Sequence, residues 1–259
     1  MSEDLIYEVQ DGIGRITFNR PQARNAMLFS MYERLAEICK SLETDKSVKV
    51  LILTGAGDKA FASGTDISQF RAFKTSQDAL DYEGRIDRVL GTLEKCRIPT
   101  IAAIAGACAG GGAGIAACCD LRIATKDARF GFPIARTLAN CLSMSNISRL
   151  TALIGPARAK ELIFTARMVG GPEALAVGLV NEVVEDHAAL MKRAEELAKT
   201  LASHAPLTLR ATKEALSRLQ PRLTREQGED LILMCYMSQD FREGMDAFLN
   251  KRPPKFKGE

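Results

Sequence analysis

The run of glycines between Gly106 and Gly114 is the first feature of the sequence that could do chemistry. Because glycines lack side chains, a ligand can approach their backbone closely. An apolar segment precedes the run and a short helical pattern follows it, and the first N–H groups of a helix have no partners within the helix. The run is therefore a candidate site where backbone N–H groups hold an anion or a polarised oxygen.

Two kinds of site fit these glycines. In the first, the pattern Gly-x-Gly-x-x-Ala over residues 112–117 opens a helix after a strand, with Asp127 beyond the next strand, as in a dinucleotide-binding turn. In the second, another turn adds a donor, because residues 60–67, Ala-Phe-Ala-Ser-Gly-Thr-Asp-Ile, also lie between an apolar strand and a helix. Each turn could then supply one backbone N–H to the same oxygen. The short helix after the glycines disfavours the dinucleotide site.

Polar residues downstream of the glycines are further candidates. Arg136 could pair with a carboxylate of a substrate, Cys141 could be a nucleophile, and Asn140 could orient water or a carbonyl. The corresponding structural interpretations are a surface arginine, a packing cysteine and a loop cap. The helix after residues 60–67 carries four more polar residues, Tyr82, Glu83, Arg85 and Asp87. For Glu83 and Asp87 we predict solvated positions.

The composition disfavours several other functions. The 35 basic and 32 acidic residues leave a net charge of +3, too small to favour nucleic acid as a partner. The seven cysteines form no CxxC pairs and there are two histidines, so we expect reduced core cysteines and no metal site. No apolar run approaches the ~20 residues of a membrane span, and the start of the chain lacks the features of a signal peptide. We therefore expect a cytoplasmic protein that does not enter a membrane.

The elements that must position these residues begin with a predicted β-hairpin over residues 6–18. A capping box of Ser30 and Glu33 then predicts a helix that runs to about Leu42. The pattern up to residue 124 predicts a strand over 48–53, a loop over 60–66, an interrupted helix over 66–96, and strands over 101–105 and 121–124. The glycine run, with a strand on either side and a helix after it, has the pattern of a β-α-β crossover.

The second half of the chain has a different pattern. From Ser145 onward it is helical, apart from a short strand over residues 180–184. Prolines mark three helix starts, at Pro156, Pro172 and Pro206. We therefore expect a layered α/β core followed by a helical C-terminal region, without repeats or linkers.

Taken together, the two turns resemble the crotonase superfamily, in which a Phe-x-x-Gly-x-Asp loop and a Gly-Gly-Gly turn form an oxyanion hole for an acyl-CoA carbonyl. The resemblance covers almost the whole chain. Its other motifs are Phe18-Asn19-Arg20-Pro21, Asn25-Ala26, Cys119-Asp120-Leu121-Arg122-Ile123-Ala124, Phe130-Gly131-Phe132-Pro133, Ala176-Val177-Gly178-Leu179-Val180, Glu243-Gly244-Met245 with Ala247-Phe248, and Lys251-Arg252.

The resemblance implies roles for individual residues. The two oxyanion donors fall on the backbone N–H groups of Ser63 and Gly111, and Arg24 falls beside the CoA phosphates. For Asp66 a helix N-cap is the expected role. The tail with Phe256 and Lys257 resembles one that touches a neighbouring subunit's adenine. The implied CoA-binding positions are Arg24, Ala26, Ala62, Gly64, Thr65, Asp66, Ile67 and Phe256, and the acyl-pocket candidates are Gly114, Ile134, Arg136, Asn140 and Cys141.

The sequence departs from this family where hydratases carry two glutamates. One follows the glycine triplet by two positions and the other follows the Phe-Gly-x-Pro motif directly, and here these positions are Gly114 and Ile134. No acid occurs between Gly106 and Cys119 or from Phe130 to Lys160. Since general acids and bases contribute roughly 10²–10⁴ each to a rate, ordinary hydratase activity is not expected from these positions.

The resemblance implies an α/β crotonase (ClpP-like) spiral of β-β-α units over residues 1–195 and a helical oligomerisation region over 196–259. It also implies a CoA-thioester lyase or isomerase that stabilises a thioester enolate, with CoA as part of the substrate and no tightly bound cofactor. A homotrimer or a dimer of trimers is the expected assembly. The alternatives are a non-catalytic acyl-CoA-binding paralogue and an acyl-CoA decarboxylase, in which Arg136 would hold the carboxylate.

Overall fold

The computed structural model describes residues 4–219 and 225–258, so the first three residues, on which the signal-peptide argument partly rests, lie outside it. Its strands are β1 (Leu5–Gln10), β2 (Ile13–Phe18), β3 (Val50–Gly55), β4 (Ala60–Ala62), β5 (Thr100–Ile104), β6 (Ala107–Ala109), β7 (Leu121–Thr125), β8 (Arg129–Gly131), β9 (Val169–Gly170) and β10 (Glu182–Val184). They form a larger sheet, in the order β1-β2-β3-β5-β7-β10, and a smaller sheet, in the order β4-β6-β8-β9. The predicted N-terminal hairpin is confirmed as the antiparallel pair β1 and β2.

The α-helices surround these two sheets. They are α1 (Phe29–Ser41), α2 (Ser76–Glu94), α3 (Gly111–Cys118), α4 (Ile134–Thr137), α5 (Met144–Phe164), α6 (Gly171–Ala176), α7 (His187–Ser203), α8 (Pro206–Leu219), α9 (Glu229–Tyr236) and α10 (Gln239–Leu249). Short 3₁₀ helices lie at Pro21–Ala23, Ile67–Ala72 and Arg225–Gly228. No helix in the described part of the chain combines the length and apolar character that crossing a membrane requires.

The chain winds in repeated turns of strand, strand and helix. The units β3-β4-α2 and β5-β6-α3 each place one strand in the larger sheet and one in the smaller, and β7-β8 starts another turn. The strands of neighbouring turns pair in parallel, β3 with β5 and β5 with β7 in the larger sheet, and β4 with β6 and β6 with β8 in the smaller. This is the predicted spiral of β-β-α units. The prediction of a simple β-α-β crossover around the glycine run is wrong, because a second strand, β6, lies between β5 and helix α3.

Two local predictions are wrong for related reasons. The helix α1 begins at Phe29, so Ser30 lies in its first turn and does not cap it, and the side chain of Gln69 accepts the Phe29 N–H at 2.9 Å. The loop predicted over residues 60–66 contains strand β4. In both cases a partner distant in sequence determines the local structure, and no local pattern reports it.

The core extends across both faces of the larger sheet. Leu190, Ala194 and Ala198 of α7 are buried against one face, so the boundary predicted between residues 195 and 196 falls inside a helix that packs on the sheet. On the other side, α9 and α10 pack back on α2 and on the 3₁₀ helix that precedes it. An aromatic cluster joins these elements, with Tyr236 and Phe241 at 4.7 Å between ring centroids. The C-terminal helices thereby cover α2 and the segment that follows residues 60–66.

Candidate active site

The two turns singled out in the sequence lie side by side and line one cavity of about 830 Å³. Parallel pairing of β4 with β6 brings residues 60–66 beside the glycine run. The glycines permit this contact, since a Cβ on Gly111 would overlap the Tyr32 hydroxyl and one on Gly112 would overlap the Ala62 carbonyl. The two turns thus lie closer together than side chains at Gly111 and Gly112 would allow.

One of the two predicted oxyanion donors is wrong. Ser63 lines the cavity, but its N–H already donates to the carbonyl oxygen of Arg24 at 3.1 Å and is not free to bind a ligand. Two residues later, the backbone around Thr65 pairs with Met27 through its neighbours, Gly64 and Asp66. Across residues 4–219 and 225–258, the N–H groups of Thr65 and Gly111 donate no hydrogen bond. These two residues line the cavity and are the available donors.

A chain of hydroxyl groups fixes Thr65. Its hydroxyl lies 2.9 Å from the Tyr32 hydroxyl and 3.0 Å from the Tyr82 hydroxyl. Burial raises the pKa of both phenols above the ordinary value, so they stay protonated and can donate. A Cβ placed on Gly111 would lie 3.0 Å from the Thr65 hydroxyl oxygen. The three hydroxyls therefore attach the loop to α1 and α2, with the glycine turn close beside them.

A buried asparagine supports the turn at the open end of the cavity, where Arg24 is exposed. The Asn25 side chain is fully buried, accepts the Arg20 N–H at 3.0 Å and donates to the Ala60 carbonyl at 2.7 Å. It anchors the turn that presents exposed Arg24 to the cavity. Asp66 is the predicted cap, because its carboxylate accepts the Ser68 N–H at 3.2 Å and pairs with Arg20 at 3.1 Å.

The predicted CoA-binding positions divide into two groups. Those that line the cavity are Arg24, Ala26, Gly64, Thr65, Asp66 and Ile67. Ala62 is buried in β4 beneath the glycines, and Phe256 lies in a tail that bonds to the outer side of α10 through the Lys257 N–H and Asp240. Within one chain, Phe256 therefore does not reach the cavity. Two residues from the C-terminal region that do reach it are Phe248 and Lys251.

The acyl-pocket candidates also divide. Gly114, Ile134, Asn140 and Cys141 line the cavity together with apolar residues, Ile86, Leu90, Leu138 and Leu142. Arg136 is exposed and does not line it, so the structure removes the cation expected for a substrate carboxylate. Arg136 lies on the outer side of the short helix α4, whereas Ile134 of the same helix faces the cavity.

The two polar candidates beside the apolar pocket are held by the C-terminal region. A hydrogen bond with Cys235, together with burial, raises the pKa of the Cys141 thiol, which opposes a nucleophilic role. Asn140 donates its amide N–H to the Tyr236 hydroxyl at 3.2 Å, while its side-chain oxygen is buried and has no partner among the residues that the structure describes. Within the described residues, no group of three or more His, Cys, Asp or Glu side chains could hold a metal ion.

A buried carboxylate of the cavity was missed from the sequence. Glu83 was predicted to be solvated, but it is 6% exposed and lines the cavity, with Tyr236 of α9 donating to its Oε1 at 2.5 Å. Burial raises the pKa of Glu83 to about 7, and the nearby Asp87 also raises it, while the Tyr236 hydrogen bond opposes them. A signal was present in the sequence, since Glu83, Ile86 and Leu90 follow the spacing of one helix face.

Asp87 was also predicted to be solvated, and it is half-buried. Its carboxylate accepts the hydroxyls of Ser143 at 2.7 Å and Ser145 at 3.2 Å. Ser143 caps the N-terminus of α5. Asp87 therefore ties α2 to the segment that carries Asn140 and Cys141.

Comparisons with known proteins show which chains this one is similar to. A family model described as Enoyl-CoA hydratase/isomerase matches residues 8–259. A short-chain-enoyl-CoA hydratase of Clostridium acetobutylicum is 36% identical, over 96% of this chain and 95% of its own. A crotonyl-CoA hydratase of Syntrophomonas wolfei is 34% identical, over 98% of each chain. The crystal structure of an enoyl-CoA hydratase/carnithine racemase from Magnetospirillum magneticum is 35% identical, with a TM-score of 0.81 over 100% of this chain and 97% of the other.

Proposed function

The chain belongs to the enoyl-CoA hydratase/isomerase family, and from this premise we propose that it binds an acyl-CoA thioester and stabilises the derived enolate with the N–H groups of Thr65 and Gly111. The observation that carries the proposal is that both N–H groups donate no hydrogen bond within the described part of the chain and belong to residues lining one cavity. Such donors strengthen their bonds as negative charge develops on the thioester oxygen, and one donor is typically worth ~10²–10³ in rate.

The two ends of the cavity differ in a way that suits this substrate. Arg24 and Lys251 contribute cations at the exposed mouth, where phosphates of CoA would lie. Ile86, Leu90 and Ile134 line the other part, which suits an uncharged acyl chain. An acyl group with a free carboxylate is less suited, since Arg136 lies outside the cavity. We therefore favour a lyase or isomerase reaction of an apolar acyl-CoA over decarboxylation.

Catalysis by the two usual glutamates is not available, because Gly114 and Ile134 occupy their positions. This favours a second candidate, a protein that binds acyl-CoA without turning it over. The two candidates differ in whether bound acyl-CoA undergoes any proton transfer. In either case the assembly we propose is a homotrimer or a dimer of trimers.

Binding is tested first by thermal unfolding in the presence of butyryl-CoA. Parallel measurements with NAD and NADP test the alternative that the glycine run is a dinucleotide-binding turn. At a concentration of about 100 times the Kd, a selective ligand adds about 2.7 kcal/mol, or roughly 5–10 °C for a chain of this size. We expect this increase with butyryl-CoA and none with the dinucleotides. Stabilisation by a dinucleotide and not by butyryl-CoA would instead favour the dinucleotide-binding site.

The oxyanion hole is tested by the Gly111→Ala variant with butyryl-CoA labelled with ¹³C at its carbonyl. Because the added Cβ would overlap the Tyr32 hydroxyl, which contacts Thr65, either the first turn of α3 or the Tyr32 side chain must shift, and either shift disturbs the paired donors. We expect the carbonyl resonance to move downfield on binding to the wild type and to move much less in the variant. The matched control is Gly91→Ala, where a Cβ meets no atom within 4 Å. Equal resonances in all three proteins would exclude this hole.

A further inference from the structure

Glu83 is the carboxylate that lines the cavity from α2, on the wall next to the oxyanion loop. Its neighbour in the chain, Tyr82, hydrogen-bonds Thr65 at 3.0 Å, so the helix turn that carries Glu83 is attached to the loop carrying one proposed donor. Ile86 and Leu90 continue the same face of α2 along the acyl part of the cavity. Glu83 is therefore placed between the thioester end and the acyl end.

The surroundings of Glu83 keep its carboxyl group oriented and poorly solvated. Tyr236 donates to Oε1 at 2.5 Å, and Asn140 in turn donates to the Tyr236 hydroxyl at 3.2 Å. The titratable groups around Glu83 are Tyr82 and Asp87 on α2, Tyr236 on α9, Tyr32 on α1, and Cys141. In the part of the chain that the structure describes, no lysine or arginine pairs with Glu83.

These surroundings suit a group that changes protonation near neutral pH. Burial is the main reason that the pKa of Glu83 rises to about 7, and the Tyr236 hydrogen bond limits the rise by favouring the ionised form. A base with a pKa near the working pH transfers protons in both directions efficiently. A buried glutamate with a purely structural role would more commonly pair with a cation.

We propose that Glu83 is the catalytic carboxylate, which exchanges a proton with the carbon next to the thioester carbonyl, in place of the two absent glutamates. This inference rests on the proposed enolate-stabilising function. Ionised Glu83 takes the α-proton, the C–H electron pair becomes the C=C bond of the enolate, and the carbonyl π pair moves onto the thioester oxygen. The N–H groups of Thr65 and Gly111 hold that oxygen.

The return of the proton completes the reaction without any other reactant. In a saturated acyl-CoA, protonated Glu83 returns the proton to the α-carbon, and exchange with solvent then replaces hydrogen by deuterium in D₂O. In a β,γ-unsaturated acyl-CoA, the enolate extends over the double bond and the proton returns to the γ-carbon, which moves the double bond to the α,β position. One carboxylate suffices for both steps.

The experiment measures α-proton exchange of butyryl-CoA in D₂O, beside its Kd from calorimetry. In Glu83→Gln the side chain keeps its shape and still accepts from Tyr236, so we expect exchange to fall at least about 100-fold and the Kd to change less than about threefold. The matched control is Asp81→Asn, an exposed acid of the same helix, which should behave as the wild type. Exchange in Glu83→Gln within threefold of the wild type, or binding by the wild type without exchange, overturns the role of Glu83. No binding by the wild type instead overturns the proposed function.

A second variant separates proton transfer from a structural role. Tyr236→Phe removes the hydrogen bond that favours ionised Glu83, so the pH at which exchange reaches half its maximum should rise by about one pH unit. Wild-type exchange should increase as the pH rises through about 7, the pKa of Glu83. An unchanged pH profile in Tyr236→Phe would contradict the proposal, because a structural residue would lower the rate at every pH.

Discussion

Glu83 gives the protein a stability that depends on pH in a predictable direction. Burial raises the pKa of its carboxyl from the ordinary value of 4.5 to about 7, so the folded state favours the protonated form. The associated stability is complete below about pH 4.5 and is lost as the pH rises through about 7. At about 1.4 kcal/mol for each pH unit, the loss reaches about 3 kcal/mol.

We therefore expect Glu83→Gln to be stabilising at alkaline pH. The free energy of unfolding in urea, compared between pH 5 and pH 8, should rise in the variant relative to the wild type by up to about 3 kcal/mol. Asp81→Asn again serves as the exposed control. Parallel stability curves for wild type and Glu83→Gln would mean that Glu83 is not a buried carboxyl with a raised pKa.

At this scale the sequence identified the site but not all of its working groups. The two turns, Gly111 and the absence of acid at Gly114 and Ile134 could be recognised from residue types and spacing. The burial of Glu83 could not, because it depends on Tyr236, which is 153 residues away along the chain. Nor could the assignment of Thr65 over Ser63, which depends on the backbone conformation that brings the Arg24 carbonyl to the Ser63 N–H.

The elements of the fold were predictable to different degrees. Long amphipathic or apolar segments such as β2, β3 and α2 carry enough residues for their periodicity to be recognised. The smaller sheet was missed, because β4, β6 and β8 have three residues each and pairing between distant turns defines them. It is this smaller sheet that brings the loop of Thr65 beside the glycines, so the site depends on the least predictable elements.

The contact of α2 with α5 is the element-scale feature that we expect to control the acyl pocket. Asp87→Asn weakens the hydrogen bonds to Ser143 and Ser145, since a neutral amide replaces a charged acceptor. The expected loss is about 1–2 kcal/mol in the free energy of unfolding, with weaker butyryl-CoA binding. The control is Glu33→Gln, whose pair with Arg88 is 42% and 54% exposed and should contribute less than about 1 kcal/mol. Equal losses in the two variants would contradict a special role for Asp87.

At the scale of the whole molecule, the helices of the C-terminal region differ in how they pack on the rest of the chain. Phe248 of α10 and Lys251 just after it line the cavity of the same chain, and Tyr236 of α9 holds Glu83, another lining residue. The helix α8 has no buried residue, and its main link to the core is Lys213, whose ammonium group pairs with Asp120 at 2.6 Å. Contacts within one chain therefore bury little of α8.

The outward side chains of α8 give the last prediction. Leu207, Leu216 and Leu219 are 76%, 60% and 82% exposed, which is unfavourable for a helix left in water. We expect a second copy of the chain to cover them, so that sedimentation gives about three or six times the chain mass of 28.2 kDa. The double variant Leu216→Asp with Leu219→Asp should lower this mass, whereas Lys199→Glu, on the exposed side of α7, should not. Because Phe248 and Lys251 line the cavity of their own chain, the dissociated variant should still bind butyryl-CoA. A wild type that sediments as a single chain at micromolar concentration would contradict the proposed assembly.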